Sequence, residues 1–347
     1  MMSAPSEAGL RIISAGPGTT LQDAGRHFYL RFGITAAGPM DPLAHATANL
    51  AVGNAPGATA LEVTLGGIEV TAEGRPLTVA VAGGDFAVSL DGRPLPSANV
   101  LLTLEPDAVL KIRAGRSGAW CYLAIAGRLD VAEVLGSHAT HTRTGFGGIE
   151  GRAIGADDRL RVEPSGAAAV PLGLIAAPWL DRPPGIIRVV LGPQDDYFAE
   201  DQIAAFRDGP WRVSTKADRM AFFIDGPTLT HARGYNIVSD GIAMGAIQVP
   251  GNGRPIVLMA DRQSTGGYPK IATVIGPDLG RLAQTRAGTE FRFEIVSVEQ
   301  AVAARRAEAT ALASGVAVEP LVRTDFTSEF LLGLNLIDGV VAAGPLR

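Results

Sequence analysis

Cysteine is almost missing from this 347-residue chain: the single thiol, Cys121, cannot close an internal disulfide. That fits a reducing compartment, and the expectation is a cytoplasmic protein. The run around it, Ala-Trp-Cys-Tyr-Leu-Ala-Ile-Ala, reads as a buried strand, where a free cysteine is usually a small hydrophobe and not a nucleophile. Charge is sparse too, 19% of residues against 47% apolar, with a mean hydropathy of +0.20, so the chain is globular and well buried, not disordered. The net charge is −5 and the basic residues are scattered, which argues against a nucleic-acid surface. Long apolar runs are missing as well. One long uncharged stretch, Pro164 to Leu180, is broken by Pro171, Gly173 and Pro178, making it a poor membrane span and a good linker. The N-terminal Met-Met-Ser-Ala-Pro-Ser-Glu lacks the apolar core of a signal peptide.

The familiar catalytic patterns are absent in the same way. No G-x-x-x-x-G-K-[ST] phosphate loop and no G-x-S-x-G nucleophile elbow occurs. Gly145-Phe146-Gly147-Gly148-Ile149-Glu150-Gly151 imitates a dinucleotide fingerprint, but its last glycine comes one place late and no helix pattern follows. Histidines 27, 45, 138, 141 and 231 show no metal-ligand spacing, so no metal is expected.

What is abundant is glycine and proline, 43 and 23 residues. Turn signals such as Gly66-Gly67, Gly83-Gly84-Asp85 and Asp91-Gly92 recur about every ten residues between short β-branched runs, the pattern of an antiparallel sandwich or barrel. Helices are expected in three places. Asp41-Pro42 supplies an N-cap and a first-turn proline ahead of a stop at Gly53, Phe198, Ile203 and Phe206 suggest a second helix, and Ser297 with Gln300 forms a capping box ahead of an Ala-rich third. The resulting fold class is mainly β, two β-rich lobes in tandem with short helices. The divisions are 1–165 for the first lobe, 166–185 for a linker, 186–300 for the second lobe and 301–347 for a helical tail.

Five polar, Gly-rich loops stand out: residues 22–26, 141–148, 217–220, 239–241 and, above all, 261–270. The last packs Asp261, Arg262, Gln263, Ser264, Thr265, Tyr268 and Lys270 between two apolar runs, Pro255–Ala260 and Ile271–Ile275. A loop between buried strands is where a rigid scaffold presents side chains to a ligand. Arg143, Arg219, Arg262 and Lys270 are candidates to hold a carboxylate or phosphate, because guanidinium forks match such oxyanions. Asp240 and Asp261 are candidates for a general base. For each residue singly, a turn cap or surface ion pair is an equally good reading, and an Asp261/Arg262/Lys270 charge cluster on a solvated hairpin would explain the composition.

The segments 16–26 (GPGTTLQDAGR), 38–44 (GPMDPLA), 48–54 (ANLAVGN), 134–152 (VLGSHATHTRTGFGGIEGR) and 239–272 (SDGIAMGAIQVPGNGRPIVLMADRQSTGGYPKIA) resemble the allophanate hydrolase subunit 2 family, a biotin-dependent carboxyltransferase-like family that includes the Kip antagonist type and the C subunit of bacterial 5-oxoprolinase. The resemblance covers roughly residues 10 to 300 and leaves the tail from about Ser314 unassigned. It implies cyclophilin-like β-barrels, a Kip-inhibitor-like B subunit and a LamB/YcsF-type A subunit as partners, and ATP-dependent opening of the 5-oxoproline lactam to glutamate, with ATP supplied at the level of the complex. An amide carbonyl is a weak electrophile, so phosphorylating its oxygen creates a leaving group before water attacks, and the site must then stabilise added negative charge. On that footing Arg262 and Lys270 stabilise charge, Asp261 or Asp240 is the base, and Arg143, Arg219, Gln248, Asn252, Gln263 and Tyr268 bind substrate. Two alternatives stay open. One is carboxyl transfer to a urea-like acceptor, with biotin arriving on another protein; the other is a regulator that binds a Kip-inhibitor-like partner without catalysis.

Overall fold

The computed structural model describes residues 7–165, 169–321 and 328. Of the helical tail expected over 301–347, residues up to Ala313 are helical, but Ala317–Pro320 is a strand that joins the first lobe's sheet, and residues 322–327 and 329–347 lie outside the described residues. Alternating apolar residues build two seven-stranded antiparallel sheets in the first lobe. One runs, in spatial order, Arg128–Leu129, Arg159–Glu163, Gly9–Ala15, Ile68–Glu73, Leu110–Arg113, Ala87–Leu90 and Arg93–Pro94; the other runs Thr20–Gln22, Ala60–Val63, Cys121–Ile125, Leu77–Gly83, Val100–Leu104, Gly173–Ala176 and Ala317–Pro320. Leu10, Ile12, Val70 and Ile112 of the first sheet meet Leu61, Val79, Val81 and Leu123 of the second in one core.

The second sheet is buried on both faces, and its strands show it. Along Cys121–Ile125, residues 121, 123 and 125 point into the sandwich core, while Tyr122 and Ala124 enter another cluster on the opposite side. That other cluster continues into the second lobe through Ile187, Trp211, Phe222, Ile247 and Val257. Helix α1 (Pro42–Ala51) lies in it. Asp41 caps its start, Oδ1 accepting from the Ala44 amide at 3.2 Å with Pro42 in the first turn. Ala44 and Ala48 pack there with Ala80, Ala82 and Ala124, small residues that allow helix and sheet to approach closely.

The second lobe is a closed barrel of seven strands, in order Ile186–Leu191, Lys270–Val274, Ala246–Gln248, Ile256–Leu258, Ala221–Asp225, Trp211–Val213 and Glu290–Ile295. All its pairings are antiparallel except the closing one between Ile186–Leu191 and Glu290–Ile295. Helix α2 (Glu200–Asp208) packs Phe206 against Trp211 and Phe293, and α3 (Gly276–Ala283) and α4 (Val298–Ala313) follow. Both halves of the Ser297–Gln300 capping box are formed at the start of α4. No helix among the described residues is long and apolar enough to cross a membrane.

The stretch read as a linker, 166–185, needs correction. Gly173–Ala176 is a strand paired with both Val100–Leu104 and Ala317–Pro320, and Ile175 enters the core, so these residues belong to the first lobe's sheet and are not a tether. The lobes are stapled by Gln284, just after α3. Its Oε1 accepts from the Ala119 and Trp120 amides at 2.8 and 3.1 Å, and its Nε2 donates to the Trp120 carbonyl and to Asp41 Oδ2, both at 2.9 Å. Gly118, at φ +76°, makes this approach possible, since a Cβ there would lie 2.5 Å from the Cα of Gly84.

Candidate functional site

The 256–275 stretch leaves the barrel at Leu258 and immediately pairs its backbone with residues 219–220. The Met259 amide donates to the Met220 carbonyl at 2.9 Å and the Asp261 amide to the Arg219 carbonyl at 2.8 Å. This register sets Arg219 beside Asp261. Arg219 Nε and Nη2 reach Asp261 Oδ2 and Oδ1 at 2.9 and 2.8 Å, Nη2 also meets the Gly38 carbonyl at 2.8 Å, and Nη1 bonds Glu62 of the first lobe. Glu62 is fully buried and also accepts from the Met40 amide and the Tyr122 hydroxyl, each at 2.8 Å. Burial pushes Glu62 above the usual carboxylate range, with Arg219 and the Met40 amide pulling the other way. Burial also works against the charge of Arg219, yet Glu62 and Asp261 together hold the guanidinium above the ordinary arginine value.

Arg219 is therefore spent inside the protein. It is a clamp across the seam between the lobes and offers no free fork to a substrate, contrary to the role expected for it. Asp261 is its counter-ion, both oxygens engaged, and not an isolated base.

One residue on, Arg262 is 6% exposed and donates Nε to the Ile242 carbonyl at 3.1 Å. No ion pair to a carboxylate is formed by it among the described residues, and burial lowers its pKa. It lines a cavity of about 270 Å³ together with Asp261, Gln263, Arg143, Thr35 and His141. His141 is buried, and its Nδ1 accepts from the Thr144 amide at 3.2 Å with the Thr144 hydroxyl at 2.7 Å, so the ring proton belongs on Nε2. Arg143 at the rim pairs with Asp218 of the second lobe at 3.1 Å, both largely exposed. The cavity thus brings together the Arg262 guanidinium, which has no ion-pair partner among the described residues, the Asp261 carboxylate already bound by Arg219, the His141 ring and the Gln263 amide, so its one uncommitted buried cation is the group suited to holding an oxyanion or a polarised carbonyl.

Other residues expected at the site lie apart from this cavity. Lys270, 4% exposed, donates Nζ to Asp240 Oδ2 at 2.5 Å and to the Gly241 carbonyl at 3.3 Å. The Lys270 hydrogen bond, with the Gly241 amide behind it, holds Asp240 below the usual carboxylate range, which makes it a weak base. Asp240–Gly241 and Thr265–Gly266 form a two-stranded ribbon, so this pair braces the root of the ribbon. Gln248 is buried nearby, with its Nε2 unpartnered among the described residues and close to Gly266. Tyr268 is exposed, and Asn252 accepts from the Arg254 amide at 3.1 Å as a turn cap. Cys121 is wholly buried and its thiol is pushed well up by that burial, a structural cysteine.

Sequence reasoning missed Glu62 and took His141 only as one member of a polar loop. A carboxylate in the middle of Leu-Glu-Val-Thr-Leu was the available signal for Glu62, since an acid inside an apolar strand implies a buried partner.

A family model described as the carboxyltransferase domain, subdomains A and B, matches residues 32–295. The C subunit of the Escherichia coli (strain K12) 5-oxoprolinase is 37% identical over 298 residues, 86% of this chain and 94% of that one. The corresponding 5-oxoprolinase C subunit of Haemophilus influenzae is 36% identical over 287 residues, 83% and 91% of the two chains. The crystal structure of Kluyveromyces lactis urea carboxylase matches with a TM-score of 0.82 at 26% identity, over 90% of this chain, which spans 30% of that protein.

Proposed function

The chain belongs to the carboxyltransferase-domain family of subdomains A and B, and from that premise we propose that it is the C subunit of an ATP-dependent 5-oxoprolinase. The observation that carries the reading is Arg262: a buried guanidinium with no carboxylate partner among the described residues, on the wall of a cavity of about 270 Å³. A compact lactam bearing a carboxylate supplies the missing anion, and burial of the cation strengthens the contact.

In this reading Arg262 holds substrate oxygen, either the carboxylate or the oxygen that gathers charge as the ring opens. His141 donates from Nε2, with Thr144 fixing the tautomer. Gln263 and Arg143 close the rim. Asp261, gripped by Arg219, keeps the loop in place. Lys270 and Asp240 hold the adjoining ribbon, so their contribution is to geometry. The phosphates of ATP and the activation of water are assigned to the assembled complex, with a Kip-inhibitor-like B subunit and a LamB/YcsF-type A subunit, in the cytoplasm.

The test is glutamate release from 5-oxoproline and ATP by this chain mixed with its A and B partners, each omitted in turn. Glutamate formed only by the full set supports the proposal; a folded, assembled and inactive complex sinks it. The match to urea carboxylase favours one second reading, carboxyl transfer to a urea-like acceptor with biotin carried by another protein. Biotin-dependent carboxylation by the same complex would select that reading.

A further inference from the structure

The proposed chemistry makes no use of the 22–26 loop, yet that loop buries two charged side chains, Asp23 and Arg26. Arg26 is 1% exposed and makes no ion pair among the described residues. Its Nε donates to the Val134 carbonyl at 3.1 Å and its Nη2 to the Ala139 carbonyl at 2.8 Å, while Nη1 has no partner among the described residues. Gly147, at φ +68°, closes over the same guanidinium, since a Cβ there would lie 2.8 Å from Nη2. Arg26 thus sits at the base of the 139–147 turn. That turn is tied by the His141 amide to the Phe146 carbonyl and the Gly148 amide to the His138 carbonyl, both at 2.8 Å. Asp23 works on the same segment, Oδ1 accepting from Ser137 Oγ at 2.7 Å and Oδ2 from the His138 amide at 2.6 Å.

Burying a guanidinium without a bonded counter-ion costs stability. Arg219 is offset by two carboxylates, whereas both side-chain bonds of Arg26 go to backbone carbonyls of the segment that carries His141. We infer that Arg26 is a positioning residue for the reaction: its guanidinium fixes the 139–147 turn and so keeps the His141 ring on the wall of the cavity it shares with Arg262. The chain around Arg26 reaches the other wall as well. The Arg26 amide donates to the Ala36 carbonyl at 2.7 Å, and the neighbouring Thr35, which lines the cavity, donates Oγ1 to the Ala260 carbonyl at 3.2 Å, two residues before Arg262. One first-lobe segment therefore sets the spacing between a histidine of its own lobe and an arginine of the other. The inference rests on the reading of this cavity as the oxoprolinase site, and its test separates the two.

The experiment pairs the ring ¹⁵N signals of His141 in the full chain with turnover of the assembled complex, for wild type, Arg26→Met and Arg26→Lys. His141→Gln assigns the signals. In Arg26→Met the ring signals are expected to move toward those of a solvent-exposed imidazole averaging its two tautomers. Its kcat per folded molecule should fall about ten- to a hundredfold with KM little changed, the scale of a misplaced group in a preorganised site. Arg26→Lys keeps the charge and one carbonyl bond, so it should fall between the two, and it carries the test if Arg26→Met does not fold. A residue serving the fold alone would lower the folded fraction and leave the ring signals and kcat per folded molecule where they are. Either readout left unmoved in the folded variant overturns the inference. If the wild-type complex makes no glutamate, the oxoprolinase reading fails, and the ring signals alone decide whether Arg26 positions His141.

Discussion

Arg219 grips Asp261 through two parallel hydrogen bonds of 2.8 and 2.9 Å while its remaining arm crosses to Glu62, so one side chain from the second lobe neutralises buried acids in both. A buried pair of this kind is weak as a source of net stability, yet breaking it by removing one partner is severe, because the charges left behind remain desolvated.

Arg219→Ala is accordingly expected to lower unfolding free energy by roughly 3–5 kcal/mol, read from denaturant midpoints. Adding Glu62→Gln should recover part of the loss by removing one stranded charge. Full stability in the single variant would show that the clamp contributes nothing.

Arg262→Met separates function from folding. The guanidinium sits buried with its charge uncompensated, so its removal should leave the melting temperature unchanged or slightly raised. Turnover in the assembled complex should nonetheless fall about a hundredfold or more, the scale of losing a donor to developing negative charge. Equal losses of stability and activity would demote Arg262 to a structural residue.

Gln284→Ala should destabilise by at least about 2 kcal/mol, because it strands the Ala119 and Trp120 amides in the seam. Thermal denaturation measures this, and an unchanged transition would mean that water replaces the side chain.

Acid should weaken the fold through His45. Its ring is buried with Nε2 3.1 Å from the Gln22 carbonyl, and burial holds its pKa below the usual histidine value. As pH falls through about 6.5 the unfolded chain takes up a proton that the folded chain refuses. The stability contributed by neutral His45 is therefore present above that pH and lost below it, by up to about 1.4 kcal/mol per pH unit. Denaturant midpoints between pH 7.5 and 5.5 should show the decline, and His45→Gln should flatten it.

Much of the architecture was readable because it is locally written. The Asp41-Pro42 start of α1 and the Ser297–Gln300 box of α4 are satisfied within one turn, so adjacent residues carry the whole signal. Helix α3 was not foreseen: Gly276, Pro277 and Gly280 give it little helix propensity, and it is anchored by a distant partner, Asp278 accepting from the Arg188 amide and guanidinium. The 261–270 loop announced itself as a polar cluster, but the roles inside it depend on distant partners. Arg219 meets Glu62 across 157 positions and Asp261 across 42, and no spacing rule reports such pairings. Lys270 looked like an available amine, and only the tertiary packing around Gly192 and the ribbon reveals it as buried.

The sheet that carries Tyr122 has interior on both of its sides, and this limits how the gene can be rearranged. A chain break or an exchanged half anywhere along that layer would lay bare alanines and a buried glutamate that no solvent-facing surface replaces. Shuffling is tolerated only at the margins, so the two lobes must travel through fusion events as a single cassette. The Kluyveromyces lactis urea carboxylase fits this constraint: 90% of the present chain finds its counterpart within less than a third of that far longer polypeptide.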